Sequence, residues 1–384
     1  MQPVSSTETP PHHATTADGE FVHRVRVLVI ATVGFTVFFA VWVMFAIVGI
    51  PIREEFDLTD GQFALLVAIP ILTGSILRVP VGMLTDLIGG RVIFTALLVV
   101  TAVPTYFVSR ASGYTELLVL AFFLGLSGTS FAVGIAWVSA WYPPERQGFA
   151  LGVFGAGNVG ASITKLLAPS LVVLIPVAGV AAGVVPGGWR FVPFVYTFML
   201  LAMAAVAWLG APSPDHRPAR GRTFREINQP LKVLRVWRFG LYYIVVFGAY
   251  VALALWLPKY YVDVYDVDLR VAGLLTALFI FPASLLRPLG GYLSDRLGAR
   301  PVTYTAFIVM CLAFIWLSFE VGIALFTVLV VTVGAMMGIG KASVYKYIAD
   351  YFPRDMGVVG GLVGAIGGLG GFVLPLLFAW ALAE

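Results

Sequence analysis

Residues 77–91 read Leu-Arg-Val-Pro-Val-Gly-Met-Leu-Thr-Asp-Leu-Ile-Gly-Gly-Arg, and residues 286–300 read Leu-Arg-Pro-Leu-Gly-Gly-Tyr-Leu-Ser-Asp-Arg-Leu-Gly-Ala-Arg. A displacement of 209 positions pairs Arg78 with Arg287, Gly82 with Gly291, Asp86 with Asp295 and Arg91 with Arg300. The same displacement carries Gly125 to Gly334, Tyr142 to Tyr351, Pro144 to Pro353, Gly148 to Gly357, Gly152 to Gly361 and Gly155 to Gly364. Self-similarity at one fixed period means that the chain contains the same structural unit twice. Equivalent matches fall at equivalent ends of hydrophobic spans, so the two units are expected to be parallel repeats.

The surroundings of these stretches set the solvent. Of 384 residues 60% are apolar and 11% charged, and the mean hydropathy is +0.94. A soluble globular domain has roughly 25% charged residues, so this chain cannot cover itself with a water-facing surface and a soluble enzyme is excluded. The net charge of +4 is too mild to indicate nucleic acid. The single cysteine, Cys311, lies in an apolar run, which removes a disulfide framework and a thiolate metal site.

A helix crossing the hydrocarbon layer needs about 20 apolar residues. Such stretches occur at 27–50, 61–85, 91–109, 115–141, 147–175, 190–210, 238–260, 270–293, 301–319, 321–349 and 357–383. They are continuous and rich in Gly and Ala, unlike the alternating ten-residue segments of a membrane barrel. The fold class expected is therefore an all-α polytopic membrane protein with eleven visible spans. Shifted by one repeat, span 190–210 falls past the last residue, so a twelfth span is expected to be absent or the last segment to hold two. The domains read as a tail (1–26), an N-terminal six-helix bundle (27–210), a linker (211–237) and an incomplete C-terminal bundle of five helices (238–384).

Arginine and lysine in short loops orient such a chain. Arg24, Arg26, Arg91 and Arg146 lie at one side, together with Arg217, Arg220, Arg222, Arg225, Lys232 and Arg235 of the linker. The loops holding Glu54, Glu55, Asp57 and Asp60, and Asp263, Asp266 and Asp268, lean acidic. The amino terminus and linker are expected to be cytoplasmic, in the plasma membrane. The tail lacks an apolar core and a cleavage site, so it is not a signal peptide. Its His12 and His13 are not expected to hold a metal.

Arg78 precedes Asp86 by eight positions, about 12 Å along a helix at 1.5 Å per residue. That places it near mid-membrane, and Arg287 repeats the placement. An arginine there costs about 2.5–3.5 kcal/mol on insertion scales, so a functional role is the default. No Asp or Glu falls at the same depth to pair with either. Lys341 adds a third interior cation, and Lys165 a fourth nearer the outer end, where it could snorkel. Cations converging without acids call for an anion, and two guanidinium forks suit a planar oxyanion. The Asp and Arg of each repeated stretch are expected to pair across the loop.

Glycines concentrate in two corresponding spans. One reads Gly155-Ala156-Gly157-Asn158-Val159-Gly160, and the other contains Gly364, Gly367, Gly368, Gly370 and Gly371. The first fits G-x-G-x-x-G formally, but no strand precedes it and no acid follows about twenty residues on, so dinucleotide binding is rejected. Small residues at this spacing let helices pack closely and slide.

The repeated Gly-x-Leu-x-Asp-(Arg)-x-Gly-x-Arg stretch, with Gly82, Asp86 and Arg91 in one copy and Gly291, Asp295, Arg296 and Arg300 in the other, resembles the signature of the major facilitator superfamily. Leu87 stands where that signature often has a basic residue. With the paired arginines, Gly-x-Gly-Asn-x-Gly and Gly-Gly-Leu-Gly-Gly-Phe, the chain resembles the nitrate/nitrite porter family over nearly its whole length. That resemblance implies a monomeric secondary transporter, with no catalytic residue and no cofactor, moving nitrate and also nitrite across the plasma membrane. It implies that Arg78 and Arg287 clamp the anion, that Asn158 bonds it, and that Phe39, Phe131, Tyr243 and Phe247 line its path. Symport with a proton would fall to Lys341, the remaining titratable group in the spans; nitrate/nitrite exchange is the alternative. A channel or a carrier of another small anion, such as a carboxylate, stays open beside these.

Overall fold

The computed structural model describes residues 17–180 and 183–383; the His12–His13 pair lies outside them. Among the described residues, ten helices are long and apolar enough to cross a membrane, and one bent pair brings the number to eleven. They are α1 (Gly19–Glu55), the bent α2 (Asp60–Ile76 and Arg78–Ile88), α3 (Gly90–Val108) and α4 (Tyr114–Trp141). Then follow α5 (Pro144–Leu174), α6 (Gly188–Gly210), α7 (Leu234–Tyr265), α8 (Val271–Leu297), α9 (Ala299–Leu317), α10 (Ile323–Tyr351) and α11 (Met356–Ala383). Each lies within a few residues of a span expected from hydropathy. Residues 211–233 link α6 to α7 across one end of the molecule, here called the linker face.

The spans that meet at the centre are broken there. α2 bends by 41° between Ile76 and Arg78, and its repeat partner α8 is interrupted between Leu285 and Arg287. Pro80 and Pro288 account for both breaks: each lacks an N–H and its ring crowds the carbonyl four residues earlier, at Ile76 and Ser284. Three-residue turns tighten α4 at Gly125–Thr129 and α5 at Ala156–Val159, while a wide π-turn opens α7 at Ile244–Gly248. Irregular backbone at membrane depth survives only where protein surrounds it. These breaks and turns lie in five helices and bring their carbonyls and side chains together at the centre.

Toward the linker face the first and second halves of the chain touch through two symmetric helix pairs, α2 with α11 and α5 with α8. A methyl group on Gly82 would run into the carbonyl of Gly357, and one on Gly291 into that of Gly148. Only glycine permits backbones this close. The signature aspartates cross the same seams. Asp86 accepts from the N–H of Gly357 (3.0 Å) and Val358 (3.2 Å), and Asp295 from the N–H of Gly148 and Phe149, both at 2.8 Å.

The expected aspartate–arginine pairing within each signature is therefore corrected. Gly357 and Val358 open α11, where N–H groups are unsatisfied donors at the positive end of the helix dipole, while Gly148 and Phe149 lie in the second turn of α5; a short carboxylate fits between these close-packed helices where a guanidinium does not. The arginines go to the rim instead. Arg91 donates to the carbonyl of Trp208 (2.6 Å) and lies 4.6 Å over its ring, while Arg296 covers Tyr292 and Arg300 covers Tyr304.

The linker is bound at both ends of its course. Asp215 accepts from the N–H of Arg91 (2.7 Å), Trp141 Nε1 (2.9 Å) and Trp137 Nε1 (3.2 Å), fixing it to α3 and α4. Further along, Arg222 pairs with Asp355 at the start of α11 (2.6 Å). Removing the Asp215 carboxylate leaves these three donors and the N–H of His216 without that acceptor, each costing about 1–3 kcal/mol if kept from water. Asp215→Ala is expected to lower the melting temperature in detergent well below that of His216→Ala; equal melting of the two variants would show that Asp215 is not the anchor.

Candidate functional site

Arg78 and Arg287 open the second segments of α2 and α8, and each is only 2% exposed. The helix breaks bring both to one ring. The guanidinium carbon of Arg78 is 5.5 Å from the centre of Phe131 and that of Arg287 is 5.7 Å from it. Arg78 donates from Nε to the carbonyl of Gly128 (3.0 Å) and from Nη1 to that of Gly364 (2.5 Å). Arg287 donates from Nη1 to the carbonyl of Gly155 (2.7 Å) and from Nη2 to the Tyr243 hydroxyl (3.1 Å). Among the described residues neither arginine has a carboxylate partner.

Neutral carbonyls orient the two cations without cancelling their charge. Lys341, fully buried, adds a third: its ammonium donates to the carbonyl of Ala283 (3.2 Å) and rests 3.2 Å from the centre of Tyr250 and 5.8 Å from that of Phe247. The carbonyl that Lys341 bonds belongs to α8, so the lysine sits on the α8 side rather than centrally. A low-dielectric pocket holding three like charges strongly favours a bound anion.

Several buried polar atoms at this level lack a partner: Arg287 Nε, Asn158 Nδ2 and Ser75 Oγ. All three can donate, and leaving a buried donor unpaired costs about 1–3 kcal/mol. Asn158 lies in the tight turn of α5, which packs against α1 and α8. Ser75 lies one turn before Arg78 and faces Gly368, where an added methyl would meet both its hydroxyl and the Arg78 guanidinium.

Aromatic rings wall the space. Phe131 and Tyr243 lie nearly parallel, 6.3 Å apart at 17°, and Phe247 stacks beyond Tyr243 at 5.2 Å and 10°. Tyr345 stands edge-on to both Phe131 (5.1 Å) and Tyr243 (5.0 Å), its hydroxyl tied to the carbonyl of Gly360. Trp42 lies under Arg78 at 5.2 Å, held by a bond from its indole to the carbonyl of Pro70. Phe39 does not reach the arginines; it packs against Phe35 and Trp42, one ring further out.

Trp42 and Tyr345 are thus part of the wall although sequence reasoning passed over them. A signal existed for each, since Tyr345 is four residues after Lys341 and Trp42 three after Phe39, spacings that share a helix face. The glycines divide by partner. Gly155 faces the Arg287 guanidinium, Gly364 and Gly368 face Arg78, Gly367 faces the Tyr243 ring, Gly370 and Gly371 face Ile244 and Val251 of α7, and Gly157 and Gly160 face the α1 backbone.

Comparison with known proteins shows the family. The Major Facilitator Superfamily family model matches residues 30–375. The chain is 54% identical to the probable nitrate/nitrite antiporter NarK1 of Thermus thermophilus, over 97% of this chain and 88% of that protein. It is 33% identical to the nitrite extrusion protein of Bacillus subtilis (strain 168), over 89% of this chain and 83% of that protein. Among solved structures, the human organic anion transporter MFSD10 superposes with a TM-score of 0.71 at 14% identity, covering 92% of both chains. FucP in its outward conformation gives 0.69 at 17%, over 93% of this chain and 92% of that one.

An added methyl at Gly155 would lie 2.7 Å from the Arg287 guanidinium carbon, whereas one at Gly273 meets open space. Gly155→Ala is expected to abolish the thermal shift that a small planar oxyanion gives the purified protein, and Gly273→Ala to preserve it; an unchanged shift in Gly155→Ala would mean that the placement of Arg287 is not needed.

Proposed function

The chain belongs to the Major Facilitator Superfamily, in its nitrate/nitrite porter branch, and on that footing we propose that it carries nitrate, and also nitrite, across the plasma membrane by alternating access. The observation that carries this reading is the pair of buried arginines that meet at Phe131, neither with a carboxylate partner among the described residues. The linker face is taken as cytoplasmic, with the amino terminus on that side, and the protein as a monomer made of an N-terminal six-helix bundle (27–210), the linker (211–237) and a C-terminal bundle (238–384).

The chemistry follows from shape and charge. Nitrate is flat, carries one negative charge and accepts hydrogen bonds in its plane. In-plane oxygens suit the Arg78 and Arg287 forks and the Asn158 amide, and its faces suit Phe131 and Tyr243. The two rings face each other with centres 6.3 Å apart, so they must part for a planar anion to enter between them, and a flat anion requires a smaller opening than a tetrahedral one. A carboxylate on a bulky body would have to displace Tyr345 as well.

Switching follows from the same charges. The halves separate most readily along the glycine seams, where Asp86 and Asp295 must leave the helix N–H groups from which they accept. Without an anion, the mutual repulsion of the two arginines and Lys341 opposes bringing the halves together; one bound anion relieves it. The loaded carrier therefore changes sides more easily than the empty one.

Two couplings fit this scheme. In symport, Lys341 is the group that takes up a proton with nitrate and returns it on release, since the spans hold no carboxylate or histidine at the level of the arginines. Exchange of nitrate for nitrite needs no proton carrier at all, and that absence equally favours it. Uptake of nitrate into proteoliposomes separates the two. Symport predicts accumulation driven by an inward proton gradient without internal anion, lost in Lys341→Ala. Exchange predicts uptake only into nitrite-loaded vesicles; gradient-driven accumulation that survives in Lys341→Ala would remove the lysine from the proton path.

A further inference from the structure

A second feature of the molecule lies away from the arginines. Between α5, α7 and α8, on the side of the arginine level opposite the linker, there is an open cavity of about 260 Å³. Its walls include Ala254, Pro258 and Phe281, with Ser162, Lys165 and Thr276 as the polar groups. The Thr276 hydroxyl is committed to the carbonyl of Ala272 (2.8 Å). The cavity wall contains no carboxylate, and among the described residues Lys165 makes no hydrogen bond or ion pair. Lys165, exposed at the open side of this cavity, thus presents an unpaired ammonium beside apolar walls on a membrane-spanning helix.

The cavity is in line with the central site. Lys165 follows Gly155, the carbonyl partner of Arg287, by ten residues on α5. Thr276 precedes Arg287 by eleven residues on α8. At 1.5 Å per residue both lie about 15 Å from the level of the arginines, so one cavity spans the two helices at equal height. Low-dielectric walls concentrate the field of a single charge and raise the local concentration of the opposite ion. The repeat puts Leu374 at the equivalent position of α11, so the second half has no counterpart cation.

We propose that Lys165 and its cavity form a collecting site for small inorganic anions on the face opposite the linker, from which they pass to the arginine pair. The proposal rests on the transport reading above and adds a distinct role. Lys165 speeds the arrival of the anion and leaves the equilibrium affinity of the central site unchanged.

The test uses the full chain and nitrate itself, in whole cells for influx and by calorimetry on purified protein for equilibrium binding. Lys165→Gln is expected to lower the uptake rate at nitrate well below half-saturation by about tenfold, the lower end of electrostatic steering effects, while the rate at saturating nitrate is kept. Lys165→Arg is expected to stay within about twofold of the unaltered protein. The difference should vanish near 1 M inert salt, where the screening length is about 3 Å, and the calorimetric Kd should be the same in all three proteins. Unaltered low-nitrate uptake in Lys165→Gln overturns the collecting site, as does equal loss in Lys165→Arg or a weakened Kd. Absence of nitrate uptake by the unsubstituted protein would instead overturn the transport reading itself.

Discussion

Two arginines are buried beside one phenylalanine inside a membrane protein, with no acid among the described residues to neutralise them, and most of the central architecture serves that arrangement. Each guanidinium would cost several kcal/mol in hydrocarbon. The chain meets part of this cost with backbone carbonyls, from Gly128 and Gly364 for Arg78 and from Gly155 for Arg287. Two of these glycines lie at the edge of a tightened helical turn, and the arginines themselves follow proline breaks. The irregular backbone at mid-membrane is thus the means by which buried cations are oriented without being discharged. What is left over is net positive charge and several unpaired donors, which an anion can satisfy together.

The repeat explains the symmetry and also exposes where it was abandoned. Asp86 and Asp295 accept from repeat-equivalent N–H groups of the opposite half, the first at the start of α11 and the second one turn into α5, and glycine meets glycine in both seams. One helical turn deeper, the halves differ. Trp137 of the first half uses its indole to hold Asp215 of the linker, whereas Lys346, its counterpart 209 positions on, lies 3.7 Å from Asp295 and 2.8 Å from Asp350. The linker therefore belongs structurally to the first half and reaches the second through Arg222 and Asp355. Lys341 is another departure, since its counterpart in the first half is Ala132. The charge that breaks the symmetry of the site lies on one side of it only.

Spans, their number and the depth of the arginines were legible because each rests on a local property: hydropathy over about 20 residues, or helical rise counted from a signature. The convergence of Arg78, Arg287, Phe131 and Tyr243 followed from the repeat and the family resemblance together. Contacts across the seams were not legible. The signature carries Asp and Arg side by side, and nothing local says that the carboxylate prefers helix N–H groups 271 positions away. Trp42 and Tyr345 were obscured by abundance, since rings are everywhere in this chain and only packing distinguishes those facing a cation from those facing lipid. Phe39 illustrates the converse, a ring on the right helix that stops one layer short.

The central claim is that both arginines act on a single anion. Calorimetric titration of nitrate into the purified protein, into Arg78→Gln and into Arg287→Gln tests it most directly, with the folding of each variant checked by its thermal transition. The account predicts one nitrate per chain in the unsubstituted protein and no measurable binding when either arginine is replaced. Nitrate binding that persists with little change in one of the two variants would contradict it.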